Sequence, residues 1–167
     1  MTKEQFIEMI TREQESLRRF LRGLCSGDGF RADDLAQEAL LKAYLSFERY
    51  EGRSRFSTWL FRIAFNCWYD SQKKRGKEFE WLSFEDASSG GLPDGPADSS
   101  MDVIYENQQL YMAIGNLSLQ EQTVILLFYI EEKSIKEIEI ITGMPSGTIR
   151  SHLSRGRRHL KEYLETR

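Results

Sequence analysis

Apolar residues return every three or four positions through most of this chain, a spacing that predicts helices rather than strands. Over residues 4–24, Phe6, Ile10, Leu17, Phe20, Leu21 and Leu24 share one face, with Arg and Glu between them, as in a helix laid on a core. The Cys-Ser-Gly-Asp-Gly run at 25–29 breaks that pattern. A second helix, from about residue 31 to 47, stacks Leu35, Ala36, Ala39, Leu40, Ala43, Tyr44 and Phe47 on one side. Its opposite side presents Asp34, Gln37, Glu38 and Lys42. An arginine-bearing loop at 48–55 leads to a third helix, about 56–74, with two apolar stripes. Phe56, Trp59, Leu60, Ile63, Ala64, Cys67 and Trp68 form the first, and Phe61, Phe65 and Tyr69 the second. Arg62, Asn66, Asp70 and Lys73 make a polar ridge beside them.

Periodicity then lapses. Residues 88–100 read SSGGLPDGPADSS, a composition that predicts an irregular, flexible segment. Helical spacing resumes near Asp102 with Val103, Ile104, Leu110, Tyr111 and Ile114. Ser118 followed by Glu121 is a capping box, and it opens a strongly apolar helix through Ile130. Ser134 and Glu137 repeat the signature. Gly143 suits the left-handed end of that short helix, Pro145 forbids its continuation, and Ser146 is placed to cap a last one. There Ile149, Leu153, Leu160 and Leu164 form the stripe. Thr148, Arg150, Ser151, His152, Ser154, Arg155, Arg157 and Arg158 occupy the other face. A short helix, a tight turn and a basic helix make a helix-turn-helix, whose second helix can enter a major groove. A helical hairpin with solvated charges has the same pattern, so this segment alone does not decide. The predicted fold is all-α: two small helical domains, 1–77 and 102–167, joined by an acidic flexible linker at 78–101. The second domain is a four-helix unit ending in the helix-turn-helix.

A formal charge of -3 and a pI near 5.6 look wrong for a nucleic-acid binder until the charge is mapped. The stretch from Glu78 to Glu106 holds eight acidic residues and no Lys or Arg. Elsewhere 23 basic residues face the remaining 18 of the 26 acidic ones, a net of +5. Two basic-leaning parts flank an acidic strap. Cys25 and Cys67 lack a CxxC spacing, and His152 and His159 lie far from both in sequence. Neither a structural metal site, a disulfide framework nor a cofactor site is expected. No nucleophile–base set appears, which argues against an enzyme. Without a signal core or a run of membrane-spanning length, the expectation is a cytoplasmic protein with no membrane insertion.

The third helix admits two readings. Two apolar stripes can mean burial on two sides of a bundle. Alternatively, exposed rings and cations can hold unstacked bases of a single strand, and eight basic residues between Arg49 and Lys77 suit that role.

Two stretches carry a resemblance. DDLAQEALLKAY followed by GRSRFSTWLFRIAFNCWYD resembles the second region of bacterial RNA polymerase sigma factors of the extracytoplasmic-function group. SIKEIEIITGMPSGTIRSHLSRGRRHL resembles that group's fourth region. The likeness spans nearly the whole chain in the right order, and the FSTWLFRIAFN string is the specific part.

The resemblance implies a factor that binds core RNA polymerase at its clamp and flap and directs it to promoter DNA. Asp34, Gln37, Glu38 and Lys42 match the helix that docks on the clamp. The loop carrying Arg49, Arg53 and Arg55 matches the element that captures a flipped base of the minus-ten element. Arg62, Asn66 and Asp70 line that base site or its backbone, with Lys73 beside them. Ser146, Thr148, Arg150, Ser151, His152 and Arg155 match recognition-helix positions at the minus-thirty-five element, where Arg157 and Arg158 hold backbone phosphate. The linker of such proteins threads polymerase channels made for nucleic acid, though acidity also serves solubility. With no sensing segment in the chain, control by an antagonist, an anti-sigma factor, is expected. Glu139, His152 and Leu40 depart from the group's usual Ala, Arg and Phe. An autonomous helix-turn-helix regulator and a helical protein-binding module are the rival readings.

Overall fold

In the computed structural model, residues 1–74 and 108–166 are described, and every regular element among them is helical. The linker expected at 78–101 and the helix start near Asp102 lie outside the described residues.

The first two helices begin where a side chain accepts from a free backbone amide. In α1, Lys3–Leu24, the Gln5 N–H donates to the Thr2 hydroxyl at 3.2 Å while the Gln5 side chain accepts from Thr2 at 3.0 Å. α2, Gly29–Ser46, starts two residues earlier than its apolar pattern, because the Asp28 carboxylate accepts from the Arg31 N–H. A single 3₁₀ turn, Phe47–Arg49, leads into the loop, which the Tyr50 hydroxyl pins by donating to the Ser54 carbonyl. α3, Phe56–Lys74, completes a three-helix unit. Ala32, Ala36, Ala39 and Ala43 give α2 a flat inner face, and Leu17, Phe20, Leu60 and Trp68 fill the space beneath it. Phe20 stacks on Phe61 at 5.4 Å, a pair worth about 0.5–1.5 kcal/mol beyond its burial.

The second half contains α4, Gln108–Gly115, α5, Leu119–Ile125, α6, Ile135–Thr142, and α7, Ser146–Glu165. Three local expectations are corrected here. Ser118 does cap α5, accepting from the Glu121 N–H, but Glu121 turns its carboxylate to His159 at 2.9 Å, so only half of the capping box forms. The apolar helix ends as α at Ile125 and runs on as a π turn, Leu126–Ile130, closed by the Glu131 N–H on the Leu126 carbonyl. The N-cap of α7 is Pro145, extended at φ -63 and ψ 153, whose carbonyl takes the Ile149 N–H. Ser146 is therefore the first helical residue rather than the cap. The box at Ser134 and Glu137 is complete, and Gly143 ends α6 at φ 77, as its lack of a Cβ allows.

The two halves share one continuous hydrophobic core. Leu126 sits in the notch left by Gly23 of α1, and α6 lies along α3. Arg19 forks onto Glu131 through Nε at 3.0 Å and Nη2 at 2.8 Å. The Thr58 hydroxyl donates to Glu137 at 3.1 Å, and the Lys133 ammonium lies over the Phe61 ring.

Candidate polymerase and nucleic-acid interfaces

Spacing of three and four residues lines Arg62, Asn66, Asp70 and Lys73 along one side of α3, and all four are exposed. Their neighbours decide between the two readings of the aromatic stripes. Phe61 is fully buried and Phe65 nearly so, so α3 is buried on two sides and those rings are core. Tyr69 is half-buried beneath Lys73, whose ammonium lies 4.7 Å from the ring centre. Trp59 is also half-buried, 5.3 Å from Tyr50 at the loop. Arg49, Arg53 and Arg55 are exposed around that loop. Arg53 pairs with Glu51 at 2.9 Å, but both side chains are mostly in water. Such a pair is worth about 0–1 kcal/mol and yields readily to a phosphate.

Asp34, Gln37, Glu38 and Lys42 are exposed along the outside of α2. The Glu38 carboxylate, 3.2 Å from the Lys42 ammonium, pushes the lysine above its ordinary pKa, with the neighbouring Cys67 also contributing. Charge is not the whole of this ridge. Phe30, Leu41 and Leu45 stand 78%, 59% and 72% exposed on the same side, which makes the surface amphipathic. Sequence reasoning missed them, although their offset from the alanine face was the available signal. Tyr44, expected on the core face, is corrected to an exposed position at its edge, where its ring meets Phe6 and Phe47.

On α7, Arg150, Arg157 and Arg158 are exposed, while Ser146, Ser151 and Arg155 are half-buried. Arg157 donates to the Tyr129 hydroxyl at 3.0 Å. Thr148 and His152, expected on the open basic face, are corrected to buried positions. They sit one helical turn apart on the flank of the Ile149 and Leu153 stripe, and the inward arc of α7 is broad enough to take both. His152 Nδ1 lies 3.5 Å from the Arg155 guanidinium. Glu139 of α6, the departure from a small alanine, is half-buried.

Both cysteines are buried thiols outside any disulfide. Burial pushes the Cys67 thiol above its ordinary pKa, and the nearby Lys42 only partly opposes it. Among the described residues there is no group of three or more His, Cys, Asp or Glu able to hold a metal. Among them, too, no helix is long and apolar enough to cross a membrane.

The comparisons with known proteins follow this division of surfaces. Sigma-70 region 2 matches residues 9–78, and Sigma-70 region 4 matches residues 107–160. The ECF RNA polymerase sigma factor SigW of Bacillus subtilis is 35% identical over 147 residues, covering 83% of this chain and 78% of its own length. The RNA polymerase sigma-E factor of Streptomyces antibioticus is 28% identical, over 98% of this chain and 86% of the relative. Among solved structures, the sigma factor RpoE in complex with the anti-sigma factor NepR from Bartonella quintana superposes with a TM-score of 0.75 at 28% identity, covering 97% of this chain and 98% of that one. CnrH in complex with the cytosolic domain of CnrY, at 19% identity and a TM-score of 0.72, has the same fold. Sigma-70 regions 2 and 4 in sequence order, on a frame that is helical in every regular element of the described residues, identify this chain as a member of the extracytoplasmic-function group of RNA polymerase sigma factors.

Proposed function

We propose that this alternative sigma factor divides its work among three helices. The outer ridge of α2, with Asp34, Gln37, Glu38 and Lys42 around Leu41 and Leu45, docks on the clamp of core RNA polymerase. The α3 ridge and the Arg49–Arg53–Arg55 loop hold the unpaired strand of the minus-ten element. There Arg62 and Lys73 track phosphate while Asn66 and Asp70 meet a base edge. Arg150 at the front of α7 reads the minus-thirty-five duplex, and Arg157 and Arg158 fix its backbone. Buried Thr148 and His152 set the position of α7 instead of touching bases.

The reading extends to units 1–77 and 102–167 as the two promoter-binding domains, with the acidic linker between them passing through the polymerase. The chain does no chemistry of its own and works in the cytoplasm. An anti-sigma protein restrains it, as NepR is found bound to the similar RpoE.

The observation that carries this reading is the single exposed row of Arg62, Asn66, Asp70 and Lys73 on a helix whose other sides are core. The test is run-off transcription with purified core polymerase on genomic promoter fragments. Replacing Arg62, Asn66 and the three loop arginines together with alanine leaves polymerase binding intact and abolishes strand opening, read by permanganate reactivity. Unchanged opening, or no association with the polymerase, overturns the reading. Tight binding of promoter duplex by the protein alone would favour an autonomous regulator.

A further inference from the structure

Between the 3₁₀ turn and α3 the chain turns back through residues 50–54. Glu51, Gly52 and Arg53 at the tip are exposed, while Tyr50 and Ser54 at its ends are half-buried. Among the described residues no backbone hydrogen bond crosses this stretch. The nearest run from the Tyr50 N–H to the Phe47 carbonyl before it and from the Trp59 N–H to the Arg55 carbonyl after it, both at 3.1 Å. An exposed segment of this kind samples many conformations unless something ties its ends.

Tyr50 is that tie. Its N–H closes the 3₁₀ turn, and its hydroxyl donates to the Ser54 carbonyl four residues on. Its ring lies edge-on to Phe56 at 5.8 Å and tilted against Trp59 at 5.3 Å, both in the first turn of α3. Phe47, on the near side, stacks on Phe6 of α1 at 4.7 Å. One side chain therefore refers the shape of the loop to the rigid helices around it. At the tip Gly52 takes φ 75 with nothing within 4 Å of a Cβ built there, so the bend itself, not crowding, calls for glycine.

The ring and the hydroxyl have separate tasks. A phenylalanine would fill the same place against Phe56 and Trp59, so packing does not explain the phenol. What the oxygen adds is closure of the loop. Fixing flexible backbone opposes binding, and a loop already in its bound shape is spared that loss. The arginines are distributed around the closure: Arg49 precedes Tyr50, Arg53 stands inside the ring it forms and Arg55 follows Ser54.

We propose that Tyr50 is a positioning residue for capture of the unpaired promoter strand: its hydroxyl closes the 50–54 loop in the free protein, so that Arg49, Arg53 and Arg55 meet phosphate in a preset arrangement. The inference rests on the promoter reading proposed above.

The test combines full-length protein, core polymerase and a fluorescent single-stranded oligonucleotide carrying the non-template minus-ten element of a promoter found by run-off transcription, with a scrambled strand beside it. Tyr50→Phe keeps the ring and removes the bond. Anisotropy then shows affinity of the holoenzyme for the promoter strand lowered about three- to tenfold, the range one neutral hydrogen bond commands. Polymerase affinity stays unchanged, which a general loosening of the fold would not allow. In the Tyr50→Phe background Arg53→Ala loses less affinity than it does alone, because the loop no longer holds that arginine in place. In the free chain, nitrogen-15 relaxation gives the Gly52 amide an order parameter of about 0.85 in wild type and below about 0.6 in Tyr50→Phe. Gly52→Ala, which strains the tip and meets no neighbour, weakens strand binding in the same way and serves if circular dichroism finds Tyr50→Phe unfolded. Equal strand affinity in wild type and variant, an order parameter that does not move, or a parallel fall in polymerase affinity overturns the proposal. A wild-type holoenzyme that binds promoter and scrambled strands alike sinks the promoter reading instead, and the order parameters then still decide whether Tyr50 braces the loop.

Discussion

Gly156 sets how closely α7 lies on α5, and its replacement tests whether that distance is fixed. A Cβ there would stand 3.0 Å from Ile125 Cγ1, 3.2 Å from its Cδ1 and 3.6 Å from Glu121 Cβ. Alanine adds one methyl at a site with no room, an overpacking cost of about 1–3 kcal/mol. It also recovers about 1 kcal/mol of helix propensity relative to glycine. The net is a loss between nil and about 2 kcal/mol. Leucine pushes three further carbons into the same wall with no added propensity, so at least about 3 kcal/mol is lost. At about 2–4 °C per kcal/mol for a chain of this size, Gly156→Leu lowers Tm by about 6–12 °C. Gly147 is the internal control, since a Cβ there meets nothing within 4 Å. Thermal melts followed by circular dichroism should rank Gly147→Ala at or above wild type, Gly156→Ala slightly below it and Gly156→Leu far below. A Gly156→Leu melt indistinguishable from wild type would refute the claim that α5 and α7 are in contact at this point.

Three other outcomes are expected. Ser134→Ala removes the hydroxyl that accepts from the Glu137 N–H, costing about 1 kcal/mol; an unshifted urea midpoint would contradict that role. Burial raises the Glu137 carboxyl, but bonds from Ser134 and Thr58 and the charge of Lys133 outweigh it and hold the group below its ordinary pKa. Its contribution is therefore full above the ordinary carboxylate range and is lost as pH falls through the lowered value. Stability of wild type should drop more steeply on the acid side than that of Glu137→Gln, and parallel acid limbs would exclude the linkage. Leu41→Ser with Leu45→Ser alters exposed positions, so stability stays within about 0.5 kcal/mol. Affinity for core polymerase, measured by fluorescence anisotropy, falls at least about tenfold, equivalent to 1.4 kcal/mol; undiminished affinity removes this ridge from the docking surface.

What could be read from the chain beforehand was what depends on near neighbours. Stripes at three and four residues placed α1, α2 and α3 within a few positions, and the Ser134–Glu137 box and Gly143 marked both ends of α6. The polar ridge of α3 was visible because four side chains of one character shared a side. The joint between the halves was not, since Arg19 and Glu131 are 112 residues apart and each looks like an ordinary surface charge. Burial of Thr148 and His152 was hidden for a related reason: polarity suggests a solvent face, whereas tertiary packing decides how wide the inward arc becomes. The π turn left no mark either, because Leu126 to Ile130 is apolar throughout and suits an α-helix equally well.

The seclusion of Cys25 and Cys67 gives the folded protein a chemical silence. Neither thiol meets solvent, and the second is held further from its reactive anionic form. Peroxide or an alkylating reagent therefore reaches neither of these two sulfurs until the helices around them come away from the core. The rate at which maleimide labels these two sulfurs is a built-in clock for unfolding of the amino-terminal half.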